Sequence, residues 1–282
     1  MQNVDGQIPA QCLSGRALPH FAFIILHFTF PAKMHRFYLP AGQCRPPLLE
    51  LTGREAHHAR DVLRLEQGGR VTVLDGAGRQ FLCEVRDWDR QRVRLAVTGT
   101  TTAAAPSTRI TLIQAVPKGK LMESIIEKAT ELGVARVVPL LSERVATRLD
   151  GAAAKDKAEK WRQCAIEAIK QCGQPWLPEV EEPLALPALL AQGVSFDLAL
   201  VGSLQGDGRH PRGYFQEYEA QHRRRPQSVG AWIGPEGDFS GEELRLIGAS
   251  GARPIDLGPL VLRSETAAVC TLAVIAYELR AP

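Results

Sequence analysis

Between positions 70 and 100 apolar residues fall mostly on every second position, the period of a half-buried strand. Val71-Thr-Val-Leu-Asp75 and Phe81-Leu-Cys-Glu-Val85 read as two strands joined through Gly76-Ala-Gly78, a hairpin signal, and Arg92-Val-Arg-Leu-Ala-Val97 alternates basic with apolar residues. A short helix over residues 54–64 precedes them. The pattern predicts a small, partly closed β-barrel over residues 34–104, followed by Gly99-Thr-Thr-Thr-Ala-Ala-Ala-Pro106 with the composition of a linker. Beyond it strands and helices alternate. Residues 110–116 read as a strand, and Leu121, Ile125, Ala129 and Leu132 recur at helical spacing until Gly133 stops them. Residues 134–141 form the next strand, and Ala158, Trp161, Ala165, Ala168 and Cys172 make one face of a helix ending at Gly173. Two buried strands are expected over 196–201 and 229–233, a capping box at Ser240-Gly-Glu-Glu243, a short strand over 254–257 and a closing helix over 264–279. Residues 105–282 thus predict an α/β domain with a mainly parallel sheet.

The start of the chain is different in kind. The apolar run from Phe21 to Phe30 covers ten residues and contains His27, whereas a membrane-crossing helix needs roughly 20. No small-residue cleavage site follows it, and Pro31-Ala-Lys33 leads into Met34, the expected natural start. Residues 1–33 are expected to be an extension, disordered or not native.

Composition narrows the class without naming a function. With 282 residues, 45% hydrophobic and 23% charged, the chain is globular in composition, which excludes disordered, collagenous and disulfide-scaffold proteins. Six cysteines contain no Cys-x-x-Cys and seven histidines no His-x-x-x-His, so neither a metal site nor a disulfide framework is expected, and a reducing cytoplasm fits. The formal charge of +3 rules out binding through a bulk cationic field. Residues 34–104 nevertheless hold eleven arginines and no lysine, a choice suited to forked phosphate contacts.

Glycines locate the candidate site. An α/β sheet binds its ligand beyond the carboxyl ends of its strands, where glycine lets backbone approach closely. The first strand of the second domain is followed by Pro117-Lys-Gly-Lys120, not by the G-x-G-x-x-G of a dinucleotide fold, which disfavours a dehydrogenase or a Rossmann methyltransferase. Three later strands each end in a glycine turn: Val201-Gly-Ser-Leu-Gln-Gly206, Ile233-Gly-Pro-Glu-Gly-Asp-Phe-Ser240 and Leu257-Gly-Pro-Leu-Val-Leu-Arg-Ser-Glu-Thr-Ala267. Any one is ordinary punctuation; three in succession predict one pocket.

The last two turns resemble the signature motifs of the RsmE family of 16S rRNA (uracil-N3) methyltransferases, within the SPOUT superfamily. Lys128-Ala-Thr-Glu-Leu-Gly-Val134, Ser142-Glu-Arg144, Trp161 with Glu167-Ala-x-x-Gln171, and Met34-His-Arg-Phe-Tyr38 with His58 and Val62-Leu-Arg64 resemble further blocks, so the resemblance spans residues 34–279. Asp238, Val145 and Gln174 depart from it, where glycine, serine and arginine are common. The resemblance implies a PUA-like RNA-binding β-barrel joined to a trefoil-knotted SPOUT domain, S-adenosyl-L-methionine as cofactor, and a homodimer acting on 16S rRNA of the small ribosomal subunit, without metal or membrane. It implies cofactor contacts from Leu200, Val201, Gly202, Gly234, Glu236, Gly237, Leu257, Gly258 and Leu262, and RNA contacts from Arg36, Arg64 and Arg144.

Methyl transfer to uracil N3 makes the acceptor more anionic, which a nearby arginine stabilises. Arg263 is the first candidate, with a phosphate or carboxylate clamp as its alternative; Glu265 either accepts the N3 proton or caps the closing helix. His57, His58 and Arg223-Arg-Arg225 carry no assigned chemistry, packing and solvation being the plainer reading. Two other functions fit the same residues: a non-catalytic RNA-binding or assembly protein, and a SPOUT enzyme for another RNA.

Overall fold

The computed structural model describes residues 34–144, 151–205 and 208–280. The expectations for residues 1–33 and the departure at Val145 lie outside them. The first elements are β1 (His35–Tyr38), β2 (Leu48–Thr52), α1 (Gly53–His57) with a π-helical turn over His58–Val62, β3 (Arg70–Leu74), β4 (Arg79–Trp88) and β5 (Arg92–Thr102). They form one five-stranded sheet in the order β1-β3-β4-β5-β2, with β1 parallel to β3 and the other pairs antiparallel. Alternation sets the register. Phe37, Val71, Val73, Phe81, Cys83, Val85, Val93 and Leu95 share one buried face, closed by Ala56 and Ala59. A one-residue slip would put that whole set in water, at about 1.5–3 kcal/mol per large side chain.

The second part runs β6 (Arg109–Ala115), α2 (Leu121–Glu131), β7 (Arg136–Leu141), α3 (Gly151–Cys172), β8 (Glu179–Val180), β9 (Leu184–Ala185), α4 (Leu186–Ala191), β10 (Leu198–Gly202), α5 (Pro211–His222), β11 (Ser228–Ile233), α6 (Gly241–Ala249), β12 (Ala252–Ile255) and α7 (Ser264–Arg280). The strands form a parallel sheet in the order β12-β10-β11-β6-β7-β8, with β9 also on β7. Neighbouring residues of each strand feed opposite layers. Leu112, Leu200 and Ala231 pack with α2, α3, α5 and α7, while Ile113, Val201 and Trp232 pack with α4 and α6. Burial on both faces explains why these strands are nearly continuous apolar runs.

Several expectations shift. Gly99–Thr102 is strand rather than linker, because β4 is long enough to pair with it as far as Arg79↔Thr102. The strand expected over 254–257 lies at Ala252–Ile255, where β10 pairs it, and Asp256 then turns the chain by accepting a hydrogen bond from Gly258 N at 2.8 Å. Cys172 is exposed at the end of α3, although Ala158, Trp161, Ala165 and Ala168 are buried. Among the described residues no helix is long and apolar enough to cross a membrane.

Candidate active site

The carboxyl ends of β10 and β11, the segment after β12 and the start of α7 enclose a cavity of about 790 Å³. Three loops build it. β11 ends at Ile233, and Gly234 follows where a Cβ would stand 3.1 Å from Asp238 Oδ1 and 3.2 Å from Phe239 N, so a side chain there would crowd the turn. Asp238 sits in the left-handed region (φ +59°) and is buried. Its carboxylate accepts from Phe239 N (2.8 Å), Ser203 Oγ (2.9 Å) and Leu204 N (2.9 Å), which ties the loop after β10 to the loop after β11. Ser240 then opens α6 with a full capping box. The buried Glu243 of that box also accepts from Ser142 Oγ (3.0 Å) and Glu143 N (2.9 Å), holding the end of β7 against the same loop.

The third loop leaves β12 at Asp256 and lines the cavity beside the other two, from Asp256 to Arg263. Gly258 has φ +111°, a conformation that favours glycine. Leu260 and Val261 project into solvent at the cavity rim, each more than three-quarters exposed (77% and 76%). Ser264 pins the far end, donating from Oγ to Gly234 O (2.7 Å) and accepting from the buried Gln114 Nε2 (2.9 Å). Across the mouth Glu236 Oε1 accepts from Lys118 N at 3.0 Å.

Of the expected residues, Gly202, Gly234, Glu236, Leu257, Gly258, Leu262, Arg263 and Glu265 line this cavity. Leu200 and Val201 do not; they point to opposite core layers of β10. Gly237 lies behind the wall, its carbonyl accepting from Arg144 Nη1 at 2.7 Å. Arg263 is exposed, and among the described residues its guanidinium has no hydrogen-bond or ion-pair partner; the Glu265 carboxylate, half-buried in the first turn of α7, has none either. Arg263 therefore does not clamp the Glu265 carboxylate, and the two groups stand open on one wall.

The RNA candidates lie apart from one another. Arg36 Nη1 donates to Lys170 O (3.3 Å) and Gln171 O (3.1 Å), closing the end of α3. Arg64 is exposed after the π-helical turn with φ +50°. Five of the eleven arginines of residues 34–104 are already ion-paired: Arg54, Arg60, Arg79, Arg92 and Arg94. His57 bonds Asp61 at 2.6 Å, and His58 packs edge-on to Phe37, so neither reaches the cavity. Among the described residues no group of three or more His, Cys, Asp or Glu could hold a metal.

The family described as RNA methyltransferase domain matches residues 104–276, and the RNA methyltransferase PUA domain matches residues 51–98. Ribosomal RNA small subunit methyltransferase E of Aquifex aeolicus is 31% identical over 243 residues, covering 86% of this chain and 99% of its own. The Bacillus subtilis protein of that name is 28% identical over 82% of this chain and 91% of its own. The chain belongs to the ribosomal RNA small subunit methyltransferase E family. A methyltransferase from Legionella pneumophila, solved with bound cofactor SAM, shares 33% identity and superposes with a TM-score of 0.78 over 86% of this chain and 97% of its own. A family protein from Neisseria gonorrhoeae bound to S-adenosyl methionine superposes at 0.74 with 25% identity, over 86% and 97%.

Against the motifs of this ribosomal RNA small subunit methyltransferase E family, Asp238 was visible in the sequence only as a departure from glycine. Its positive φ explains the glycine preference, and its three accepted hydrogen bonds explain what an aspartate adds there. Ser264 and Gln114 carried no such signal: the bond between them joins residues 150 positions apart.

Proposed function

We propose that this protein transfers a methyl group from S-adenosyl-L-methionine to N3 of a uridine in the decoding region of 16S rRNA, acting in the cytoplasm on the small ribosomal subunit. One observation carries this reading: in a chain of this family, Arg263 and Glu265, both unpaired among the described residues, stand on one wall of a glycine-lined cavity. The cavity suits the cofactor. Its volume, about 790 Å³, falls among small-molecule sites. At Gly202 an added Cβ would lie 3.2 Å from Ile233 Cδ1, so the cradle is open because the side chain is missing. Ile233, Leu257 and Leu262 offer apolar walls for adenine, and Glu236, with one oxygen held by Lys118 N, offers the other to a ribose hydroxyl.

Bound there, S-adenosyl-L-methionine supplies an electrophilic methyl group on a cationic sulfur. The protein's part is positioning and charge. Arg263 holds the negative charge that builds on the uracil ring, and Glu265 takes the N3 proton as the N3–carbon bond forms; the sulfur keeps the electron pair of the broken bond. A free guanidinium in a cavity favours this over the non-catalytic reading, since binding RNA alone requires no such cavity.

Residues 34–104 act as the RNA-gripping module and residues 105–282 as the methyltransferase domain. Arg64, whose guanidinium has no partner among the described residues, offers all its donors to phosphate, whereas Arg36 and Arg144 offer only the donors left by their carbonyl contacts. The trefoil threading and the homodimer belong to the same proposal. The threading is supported by the 256–263 segment, which shares the cavity with the loops after β10 and β11 and is followed by Ser264 bonded to Gly234 O; the homodimer is supported by exposed Leu204, Leu260 and Val261 at the cavity mouth, an apolar rim for a second subunit. Mass spectrometry of rRNA from cells lacking the protein, with naked rRNA and assembled subunits compared as substrates, tests the target. An unchanged uridine mass overturns it, and calorimetry without S-adenosyl-L-methionine binding overturns the cofactor.

A further inference from the structure

The block Glu167-Ala-x-x-Gln171 plays no part in the cavity, yet its last turn holds the most deeply buried lysine of the described residues. Lys170 has a side chain only 6% exposed, and lysines are almost never buried unless paired. Its Nζ lies 2.8 Å from Glu55 Oε1 and 3.0 Å from Glu167 Oε2. Glu55 belongs to α1 and is 16% exposed, and its second oxygen accepts from Tyr38 N of β1 at 3.1 Å. One carboxylate therefore joins α1, β1 and α3. Arg36 reinforces the contact from β1 through Lys170 O and Gln171 O.

A second contact, between the turn that joins β3 to β4 and the loop that follows α3, is uncharged. Gly78 lies flat against Trp176, where a Cβ would come 2.5 Å from Cζ2, and Gly78 N donates to Pro175 O (3.0 Å) and Leu177 N to Gly76 O (3.0 Å). With Trp176 Nε1 also donating to Ala104 O (3.3 Å), this contact fixes one point of the five-stranded sheet. The buried ammonium fixes a second point, because moving α1 away from α3 takes Glu55 from it and leaves only Glu167 of its own helix.

We propose that Lys170 is a positioning residue: by pairing with Glu55 it fixes the angle of the five-stranded sheet against α3, and so sets the span between the RNA-gripping arginines and the uridine in the cavity. This rests on the reading of residues 34–104 as the RNA-gripping module. Its consequence is kinetic. RNA held by one sheet reaches the cavity at an effective concentration that depends on how rigidly the sheets are joined.

The test uses the full chain with Lys170→Met/Glu55→Gln, which removes both charges, keeps an acceptor for Tyr38 N and avoids a lone buried charge in case Lys170→Met alone fails to fold. We expect KM for the RNA substrate to rise about tenfold, with kcat and S-adenosyl-L-methionine affinity held within about twofold. Lys170→Arg should recover part of the KM. Hydrogen exchange at Tyr38 and the last turn of α3 should accelerate, a readout independent of methylation. Raised exchange with an unchanged KM overturns the positioning role, and unchanged exchange overturns the joint itself. An equal loss of cofactor affinity overturns it as well, by showing general loosening. If the wild type neither binds nor methylates RNA, the proposed function falls, while the exchange data still decide whether the joint exists.

Discussion

The two ends of the parallel sheet carry the same residue types in opposite states. At the amino ends of the strands Asp197 accepts from Arg224 Nη2 and Nη1 (3.1 and 3.2 Å), Gln227 N (2.7 Å) and Ser228 N (3.2 Å), while Arg224 lies over the Tyr218 ring at 5.5 Å. Arg225 donates to Leu279 O at 2.8 Å. At the carboxyl ends Arg263 and Glu265 line a cavity and have no partner among the described residues. The difference teaches that charge does not mark a site; unsatisfied charge facing a cavity does. The Arg223-Arg-Arg225 run, conspicuous in the sequence, closes a structural corner, whereas the single Arg263 is left open.

The largest expected effect falls at the open end. Arg263→Ala should lower kcat by about 10²–10³ while the melting temperature stays put, as for loss of one preorganised charge stabiliser. Retained kcat would erase the contrast. Asp238→Ala should be intermediate, because it frees two cavity loops at once: a loss of about 1–3 kcal/mol in thermal melts, accompanied by weaker S-adenosyl-L-methionine binding. At the closed end Asp197→Ala should cost about 1–2 kcal/mol and leave kcat unchanged; a fall in kcat alone would make that end functional too.

The smallest effect is the pH dependence of that corner. Arg224 beside Asp197, with the Gln227 and Ser228 amides, holds its carboxyl well below the usual carboxylate range against the opposing pull of desolvation. A depressed folded-state pKa gives stability that is fully present above the unfolded value of about 3.9 and is lost as pH falls toward the folded one. The difference in urea midpoint between wild type and Asp197→Asn should stay constant from about pH 7 to 5 and shrink below about pH 4.

Much of the architecture was legible in the chain. Period-2 and helical patterns placed β3 to β7, α2, α3 and α7, and Ser240 with Glu243 announced the cap that α6 indeed has. α5 escaped notice because it is largely polar; only Pro211, Tyr214, Phe215 and Tyr218 of its twelve residues are buried. The arginine excess of residues 34–104 was legible as a count, but not its partial neutralisation by Glu50, Asp61, Asp75, Asp87 and Asp89.

By itself the sequence determined the elements, their buried faces and the glycine turns, because side-chain period and backbone freedom act within a few residues. Tertiary structure alone decided that Gly202 meets the cavity while Leu200 and Val201 do not, that Asp238 locks two loops, and that Lys170 meets Glu55 across 115 positions. Those outcomes depend on which distant surfaces come together, and no local pattern encodes that.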